Sequence, residues 1–453
     1  MARFDLVFQA RRVIVAGSEV ARCVAVRDGT IAAVEPLERD LTGDRTVRLG
    51  SDVVLLPGLV DTHVHVNEPG RTQWEGFATA TRAAAAGGVT TLLDMPLNSL
   101  PPTCTTAALA VKRAAARGQC HVDVGFWGGA IPGNLADLAD LYDEGVFGFK
   151  CFMVDSGVAE FPSLTPGELT GYLRRLAGLD ALMIVHAEDP DRLDPAGAPA
   201  SRRYQDFLGS RPRDAENTAV ARLIEAAGTT GCRVHVLHLS SSDALGPLAR
   251  ARRAGTRITV ETCPHYLFFA AEEVADGSTQ FKCCPPIREA ENRERLWDGL
   301  VAGVIDSVVS DHSPCTEDLK CLDTGDFGHA WGGISSLQLG LRAVWTQARR
   351  RGLPLTDVVR WMAEAPARIA GLADRGRIEP DLRADFCVFA PDDDQVVELS
   401  ELHHRNPVTP YAGLALAGTV RGSWLRGAPV TGETPGGRLI RRNPVDRTGR
   451  GTR

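Results

Sequence analysis

The sequence predicts an α/β protein in which a closed (β/α)8 TIM barrel occupies the centre of the chain and a small β-sandwich combines its two ends. Two observations support this prediction. Between residues 56 and 375, apolar strand-like segments alternate with helical segments rich in alanine and leucine. Outside that region, short runs alternate around glycine and aspartate turns, as in an antiparallel sheet. A doubly wound open sheet is the competing arrangement for the centre.

The two chain ends carry the predicted sandwich. Its strands are 5–8, 12–15, 22–28 and 30–35 at the start and 384–390, 395–399 and 418–427 near the end. Because the first and last segments of a chain often lie together, we assign residues 1–55 and 376–435 to one split domain. Residues 436–453 are rich in arginine and glycine, and we expect a flexible tail rather than a binding arm.

The central segment, 56–375, carries the predicted barrel. Its strands are 58–66, 90–95, 121–127, 147–152, 182–188, 233–240, 258–263 and 306–311. Helical sequences lie between them. The segment 75–88, for example, is rich in alanine and ends on two glycines, which commonly terminate helices. In a barrel of this kind, functional side chains lie at the carboxyl ends of the strands.

Length and composition limit the class of protein. The 453 residues suffice for one large and one small domain, and 44% hydrophobic with 24% charged residues exclude wholesale disorder. The net charge of −7 disfavours nucleic acid or an anionic membrane as a partner. No apolar run approaches the ~18 residues of a membrane span, and the start, MARFDLVF, is unlike a secretion signal. Eleven irregularly spaced cysteines indicate reduced thiols and a cytoplasmic location.

Candidate metal ligands fall at the carboxyl ends of five predicted strands. His63 and His65 stand two residues apart on one strand, so both imidazoles share a face. The remaining candidates, at the ends of the fourth, fifth, sixth and eighth strands, are Lys150, His186, His238 and Asp311. A single histidine would be interpreted as a structural residue, but six candidates at one end of a barrel favour a metal site.

Lys150 needs a separate explanation, because an ammonium group would repel metal ions. Only four of the 50 basic residues are lysines, so arginine is the default cation of this chain. A neutral lysine amine can react with CO2 to give a carbamate, N6-carboxylysine, whose two oxygens could bridge two metal ions. Neighbouring cations favour the neutral amine. The alternative is an ion pair with a nearby carboxylate, a role that arginine could also fill.

Nine motifs give the chain a resemblance to a known family. The motifs are HVHVNEPG, MPLNSLPPT, GFKCF, IVHAE, VLHLSS, ETCPHYL, KCCPPIR, SDHSPC and HRNPVTPYAG. In form and order they are similar to those of the cyclic-amidohydrolase group of the amidohydrolase superfamily, which includes dihydroorotases, hydantoinases and allantoinases. The resemblance implies a barrel with a β-sandwich and a binuclear metal centre with a carbamylated lysine. It assigns one metal to His63, His65 and Asp311, the other to His186 and His238, and the bridge to Lys150.

Within this group the motifs most resemble those of the allantoinases. Dihydroorotases typically have an arginine that holds the substrate carboxylate where this chain has Asn67, and a neutral amide cannot replace that charge. Hydantoinases usually have a tyrosine where this chain has Asp155. Allantoin lacks a carboxylate, and its ureido arm needs neutral hydrogen-bond partners. The resemblance therefore implies a substrate site formed by Asn67 and by the backbone near Cys284, Trp331 and Gly332.

The resemblance implies hydrolysis of a cyclic amide, with conversion of allantoin to allantoate in purine degradation as the preferred reaction. Two divalent ions, expected to be Zn with Co, Mn or Fe as alternatives, would activate a water molecule. Asp311 would take its proton and deliver it to the leaving ring nitrogen. A cyclic amidase of the D-hydantoinase or dihydropyrimidinase type is one alternative, and a non-catalytic scaffold of the same fold is another. A homodimer or homotetramer is also implied.

Other polar side chains receive structural interpretations. His235 is on the strand face opposite the metal ligands and is expected to pack against a helix, and His265 is expected to make a structural hydrogen bond. His312 could contact the substrate or support its own loop. Lys282 and Lys320 are expected to be surface or loop residues.

Overall fold

The computed structural model describes residues 3–39, 41–194 and 197–442. The strands are β1 Phe4–Val15, β2 Ser18–Arg27, β3 Thr30–Pro36, β4 Gly43–Arg48, β5 Val54–Pro57, β6 Leu59–Val64, β7 Val89–Asp94, β8 Asp123–Phe126, β9 Gly128–Gly129, β10 Phe149–Phe152, β11 Leu182–His186, β12 Arg233–Val236, β13 Ile258–Thr262, β14 Ser307–Val308, β15 Phe386–Val396, β16 Ala415–Leu425 and β17 Ala428–Pro429. The helices are α1 Phe77–Ala86, α2 Thr106–Ala116, α3 Leu138–Asp143, α4 Pro166–Leu179, α5 Tyr204–Ser210, α6 Arg213–Thr230, α7 Leu245–Arg253, α8 Pro264–Phe268, α9 Ala290–Val301, α10 Gly340–Arg350, α11 Leu355–Val359 and α12 Ala365–Ala370. Across these described ranges, no helix combines the length and the apolar character needed to cross a membrane.

One mixed sheet combines the two ends of the chain. Its order is β17-β16-β15-β5-β1-β2-β3, and β4 pairs with β1. β15 lies antiparallel to both β5 and β16, so the late strands attach to the early ones through β5. Phe8, from the start of the chain, packs edge to face on Phe386 and Trp424, with ring centroids 5.2 and 4.9 Å apart. Both ends therefore contribute to the same apolar core.

Parallel strands carry the central region. One sheet has the order β6-β7-β8 and the other the order β14-β13-β12-β11-β10-β9. Trp127 separates β8 from β9, and the amide of Phe147 donates to the carbonyl of Phe126. At the other edge, Val64 at the end of β6 forms a parallel bridge with His312, which follows β14. Each predicted barrel segment overlaps one of these strands, which confirms the alternation of strands and helices.

Helix ends follow capping signals in the sequence. α4 begins with a capping box, in which the Thr165 hydroxyl accepts from the Glu168 amide and the Glu168 carboxylate accepts from the Thr165 amide. α6 ends at Gly231, whose φ of 70° is in the left-handed region that glycine tolerates. The predicted helix 75–88 is α1. These local signals fix where the chain leaves each helix and turns toward the next strand.

Residues 437–442 differ from the predicted flexible tail. Leu439 forms a parallel bridge with Val124 on β8, and the amide of Ile440 donates to the Val124 carbonyl. These main-chain hydrogen bonds hold the segment against a strand, whereas the predicted tail has no such pairing, and the flexibility of the tail stays a prediction. The arginine- and glycine-rich composition favoured a tail, but composition carries no information about main-chain pairing. The rest of the predicted tail, residues 443–453, lies outside the described residues.

The four lysines are all buried. The exposed fractions are 1% for Lys112, 1% for Lys150, 7% for Lys282 and 2% for Lys320. Lys282 and Lys320 lie in loops, which was one of the two predicted options, but neither is on the surface. A buried ammonium group requires partners, because removing a charge from water is costly. Each lysine therefore has a specific environment inside the protein.

A buried charge cluster links the mixed sheet to the parallel strands. Arg375, 3% exposed, donates to the Thr91 hydroxyl of β7 and lies 3.3 Å from the Asp123 carboxylate of β8. Asp123 also accepts from Arg426, which follows β16, while Arg375 pairs with Asp374. Two arginines therefore neutralise one buried aspartate, as a carboxylate removed from water requires.

Replacing Arg375 by methionine is expected to lower the free energy of unfolding by about 3 kcal/mol, because the buried Asp123 carboxylate loses one of its two arginine partners. Arg383→Met is the matched control. Arg383 pairs with the same Asp374 but is 35% exposed, and its loss should cost less than about 1 kcal/mol. Denaturant unfolding followed by circular dichroism measures both values. Equal losses of unfolding free energy in the two variants would contradict the argument that the Arg375 ion pair contributes more because it is buried.

Candidate metal centre

The predicted metal ligands lie together at the carboxyl ends of the parallel strands. In chain order they are His63 in β6, His65 just after β6, Lys150 in β10, His186 at the end of β11, His238 after β12 and Asp311 after β14. None of the six is more than 7% exposed. All except His63 line a cavity of about 250 Å³. The strand ends therefore bring six residues from five separate parts of the sequence to one small buried site.

Several of these side chains converge on one point. The ligand atoms of His63, His238 and Asp311 all lie within 4.8 Å of one another. Asp311 Oδ1 lies 3.1 Å from His63 Nε2 and 3.7 Å from His65 Nε2. The rings of His186 and His238 are 4.6 Å apart between centroids. Ligand atoms about 3 to 4 Å apart can surround an ion that binds each of them at about 2 Å.

Two ring nitrogens of this cluster have no hydrogen-bond partner among the described residues. They are His63 Nε2 and His238 Nδ1, both buried. The approach of His63 Nε2 to Asp311 has the distance but not the direction of a hydrogen bond. A buried polar atom without a partner costs about 1–3 kcal/mol, and a metal ion would satisfy both nitrogens. Imidazole and carboxylate donors also suit Zn, Co, Mn and Fe, so the residues fit a metal centre.

Glu261 on β13 orients His63. Its Oε1 lies 2.5 Å from His63 Nδ1, and its Oε2 lies 2.9 Å from His235 Nε2. Burial alone would raise the pKa of Glu261, but His63 and His235 outweigh burial and lower the pKa to about 2. The ionised carboxylate accepts the Nδ1 proton of His63, and this leaves Nε2 of that ring free to bind a metal.

The structure corrects the interpretation of His235. Instead of packing against a helix, His235 hydrogen-bonds to Thr259 and Glu261 on the neighbouring strand β13. Glu261 was not among the predicted site residues, although one signal in the sequence pointed to it. An acidic residue within an apolar central strand must have partners, and Glu261 stands in the motif ETCPHYL.

Glu188 has the corresponding role for His186. Its Oε2 lies 2.7 Å from His186 Nε2, and the Arg211 guanidinium donates to both carboxylate oxygens at 3.0 and 2.5 Å. Burial alone would raise the pKa of Glu188, but Arg211 and His186 outweigh it and hold the pKa below its usual range. Accepting the Nε2 proton of His186 leaves Nδ1 for a metal, with the ring fixed by stacking on Phe152.

Lys150 is placed as a carbamate requires. In the described part of the chain no carboxylate forms an ion pair with it, and its Nζ lies 4.8 Å from the centroid of the Phe152 ring. Burial lowers the pKa of Lys150 to about 8, although Asp311 and Glu261 act in the opposite direction. The fraction of neutral amine at neutral pH is therefore larger than for an exposed lysine, and the neutral amine is the form that reacts with CO2.

Three of the four predicted substrate contacts lie at the cavity. Cys284, Trp331 and Gly332 all line it, and a Cβ on Gly332 would lie 3.3 Å from Cys284 Sγ. Asn67 does not line the cavity. It is fully buried, and its amide donates to the Pro314 carbonyl. The main chain after β14 therefore engages Nδ2 of Asn67, whereas the buried Oδ1 has no hydrogen-bond partner among the described residues. A contact between Asn67 and the substrate stays a prediction.

Asn98 is the amide that does line the cavity. Its Nδ2 lies 3.5 Å from His65 Nδ1, so it stands beside the ligand cluster. It belongs to the motif MPLNSLPPT, which was noted in the sequence without singling out this residue. Asp155 also lines the cavity, and its Oδ1 accepts from the Gly157 amide. A carboxylate in that position cannot donate a hydrogen bond as a tyrosine would.

The structure shows the surroundings of two further histidines. His312 is fully buried and its Nε2 lies 3.0 Å from Glu75, so it supports its loop, one of the two predicted roles. His265 was expected to make a structural hydrogen bond, but neither of its buried ring nitrogens has a partner in the described ranges. Cys263, His265 and Asp311 also have ligand atoms within 4.8 Å. This group shares Asp311 with the first and extends the same site.

Comparison with known proteins gives consistent matches. The model of the amidohydrolase family matches residues 54–430. An allantoinase of Streptomyces avermitilis is 56% identical over 449 residues, covering 98% of this chain and 100% of that protein. An allantoinase of Saccharomyces cerevisiae is 44% identical over 423 residues, covering 92% of this chain and 91% of that protein.

Solved structures agree in fold over nearly the whole chain. An L-hydantoinase (dihydropyrimidinase) from Arthrobacter aurescens matches with a TM-score of 0.90 at 28% identity, covering 97% of this chain and 100% of that one. A dihydropyrimidinase from Brevibacillus agri matches with a TM-score of 0.86 at 27% identity, covering 96% and 98%. The resemblance carried by the motifs is confirmed: the chain belongs to the amidohydrolase family, in the group that contains the allantoinases.

Proposed function

We propose that this protein hydrolyses allantoin to allantoate by opening the five-membered ring at a cyclic amide bond. The observation that carries the proposal is 56% identity to an allantoinase over nearly the whole chain. The buried histidine–carboxylate cluster at a cavity of about 250 Å³ supports it, because such a space suits a small cyclic ureide. Hydrolysis of hydantoin-type rings is the second candidate, favoured by the hydantoinase structures that share the fold.

The fold proposed for this activity is a closed barrel with an appended β-sandwich. Closure on one side is supported by the single residue, Trp127, between β8 and β9. On the other side it is supported by the parallel bridge between Val64 and His312. The division into a split domain, 1–55 with 376–435, and a barrel, 56–375, is part of the same proposal.

The metal pair is proposed to be held by the six buried side chains. His63, His65 and Asp311 would hold one ion, His186 and His238 the other, and a carbamate on Lys150 would bridge them. The unpartnered nitrogens of His63 and His238 and the lowered pKa of Lys150 support this assignment. Carbamate formation joins the neutral Nζ to the carbon of CO2 and releases one proton. Bound ions of this kind lower the pKa of water and polarise a carbonyl group.

Asp311 is the proposed proton carrier. Burial alone would raise its pKa, but His63 outweighs burial and holds the pKa of Asp311 below its usual value. Asp311 is therefore ionised at neutral pH and can accept a proton from the attacking water at one of its carboxylate oxygens. It would then deliver that proton to the ring nitrogen. The transfer is necessary because an unprotonated amide nitrogen is a poor leaving group.

The cavity walls are proposed to orient the ureide. Cys284, Trp331 and Gly332 line one side of the cavity, and Asn98 lies beside His65. The Asn98 amide offers both a donor and an acceptor, which matches the neutral carbonyl and N–H groups of a ureido arm. Holding the ring in one orientation beside the water-activating side chains is itself a large part of the rate acceleration in such reactions.

A cytoplasmic location is proposed as well, supported by the eleven cysteines, none of which forms a disulfide bond in the described part of the chain. The homodimer or homotetramer implied by the resemblance stays a prediction.

The central test is a paired assay on protein of known metal content. Ring opening of allantoin should be faster than that of hydantoin, dihydrouracil and dihydroorotate. Lys150→Ala should lose at least about 100-fold in turnover together with bound metal, since the bridging ligand is gone. Lys150→Arg is the matched control, because it keeps a cation that cannot form a carbamate, and it should be equally inactive.

Three results would count against this interpretation. Faster turnover of hydantoin would favour the second candidate. An active Lys150→Arg variant would exclude the carbamate. No turnover of any ring after supply of divalent ions and bicarbonate would favour a scaffold.

Glu261→Gln is expected to lower metal affinity by about 10- to 100-fold, because a neutral amide no longer holds His63 as the tautomer with a free Nε2. Competition with a metal-binding dye measures the affinity. Thr259→Val is the matched control, since Thr259 hydrogen-bonds to His235 but not to a proposed metal ligand. The metal affinity of this variant should stay within about threefold of that of the unsubstituted protein. Equal losses in both variants would point to general damage to the network.

A further inference from the structure

Lys320 is a buried cation without an acidic partner in the described part of the chain. It lies in the loop between β14 and α10 and is 2% exposed. Burial lowers the pKa of Lys320 below its ordinary value. Lys112, by contrast, is equally buried but forms an ion pair with Asp94 at 2.7 Å. A lysine kept inside a protein with no opposite charge must be stabilised by other polar groups.

Those groups are three main-chain carbonyls. The Lys320 ammonium donates to the carbonyl of Lys282 at 3.2 Å, to that of Trp331 at 2.9 Å, and to that of Gly333. The carbonyls belong to two segments, 282–284 and 331–333, which we call the wall segments. Both line the cavity. One side chain therefore joins two separate pieces of the cavity wall.

The wall segments approach each other closely but have few bonds of their own. The Gly333 amide donates to the Lys282 carbonyl at 2.8 Å. Gly333 has a φ of 142°, and a Cβ there would lie 2.2 Å from the Ser313 carbonyl oxygen, so the close packing leaves no room for a side chain at this position. Three carbonyl dipoles pointing at one place repel each other unless a strong donor lies between them.

We propose that Lys320 is a positioning residue that fixes the spacing of the two wall segments, and thereby the place of Cys284, Trp331 and Gly332 against the substrate. The identity of that substrate rests on the proposed function. An ammonium group has three donors in a tetrahedral arrangement, one for each carbonyl, whereas a planar guanidinium cannot match them. This difference accounts for a lysine at position 320 in a chain that otherwise uses arginine.

The first test measures hydrogen exchange and does not depend on any substrate. In Lys320→Met, peptides covering 331–333 and 282–284 should exchange at least about tenfold faster, because their carbonyls lose a charged donor, while peptides covering β6 should not change. Lys112→Met is the matched control, since it removes another buried lysine that contacts neither wall segment. Unchanged exchange in the wall segments would overturn the proposal.

The second test separates binding from chemistry. Lys320→Met should raise KM for allantoin roughly tenfold, with kcat within about twofold and metal content unchanged, because the wall but not the metal ligands is displaced. Lys320→Arg should reverse less than half of this rise in KM. An unchanged KM, full recovery with arginine, or a fall in kcat together with metal content would overturn the proposal.

Two provisions keep the result interpretable. If Lys320→Met does not fold, Lys320→Gln replaces it, since glutamine retains donors without the charge. If the unsubstituted protein does not open allantoin, the proposed function fails, and the exchange measurement alone decides the role of Lys320.

Discussion

Burial of the Glu261 carboxylate is the constraint on which the geometry of the site depends. Its two oxygens bind His63 of β6 and His235 of β12, and Oε1 also accepts from the His238 amide at 3.3 Å. A charge in that position is tolerated only while all of these donors surround it. Glu261 on β13 therefore fixes the orientation of the His63 ring and of the His235 ring on the neighbouring strand β12. Glu188 repeats the arrangement around His186, so buried carboxylates orient these imidazole rings.

The parts of this arrangement that follow from short stretches of sequence were predictable. The apolar segments marked the parallel strands, and the histidines at their ends marked the site. Contacts between distant segments were not. The hydrogen bond from the Asn67 amide to the Pro314 carbonyl depends on the approach of two loops, which no local sequence pattern predicts. The contacts of Glu261 with His63 and of Asn98 with His65 also join distant segments, and they were not predicted. The pairing of Leu439 with Val124 was not predicted because the composition of that segment is typical of tails.

The use of lysine in this protein is consistent with its chemistry. Arginine keeps its charge in almost any setting and suits flat, paired contacts, as with Arg211 and Glu188. Lysine can lose its proton, which the carbamate proposed for Lys150 requires, and it can direct three donors to three acceptors, as Lys320 does. All four lysines are buried, whereas many of the arginines form ion pairs at the surface.

The mixed sheet has a consequence for how the chain reaches this structure during synthesis. β5 is made early, yet its partner β15 comes from the last part of the chain, with Val54 opposite Phe389. On the ribosome, the edge of β5 and the apolar face around Phe8 must wait, unpaired, while the whole parallel region emerges. Cooperative completion of the sheet is therefore a late event, and the order of translation makes the amino-terminal strands the segment most in need of protection from aggregation.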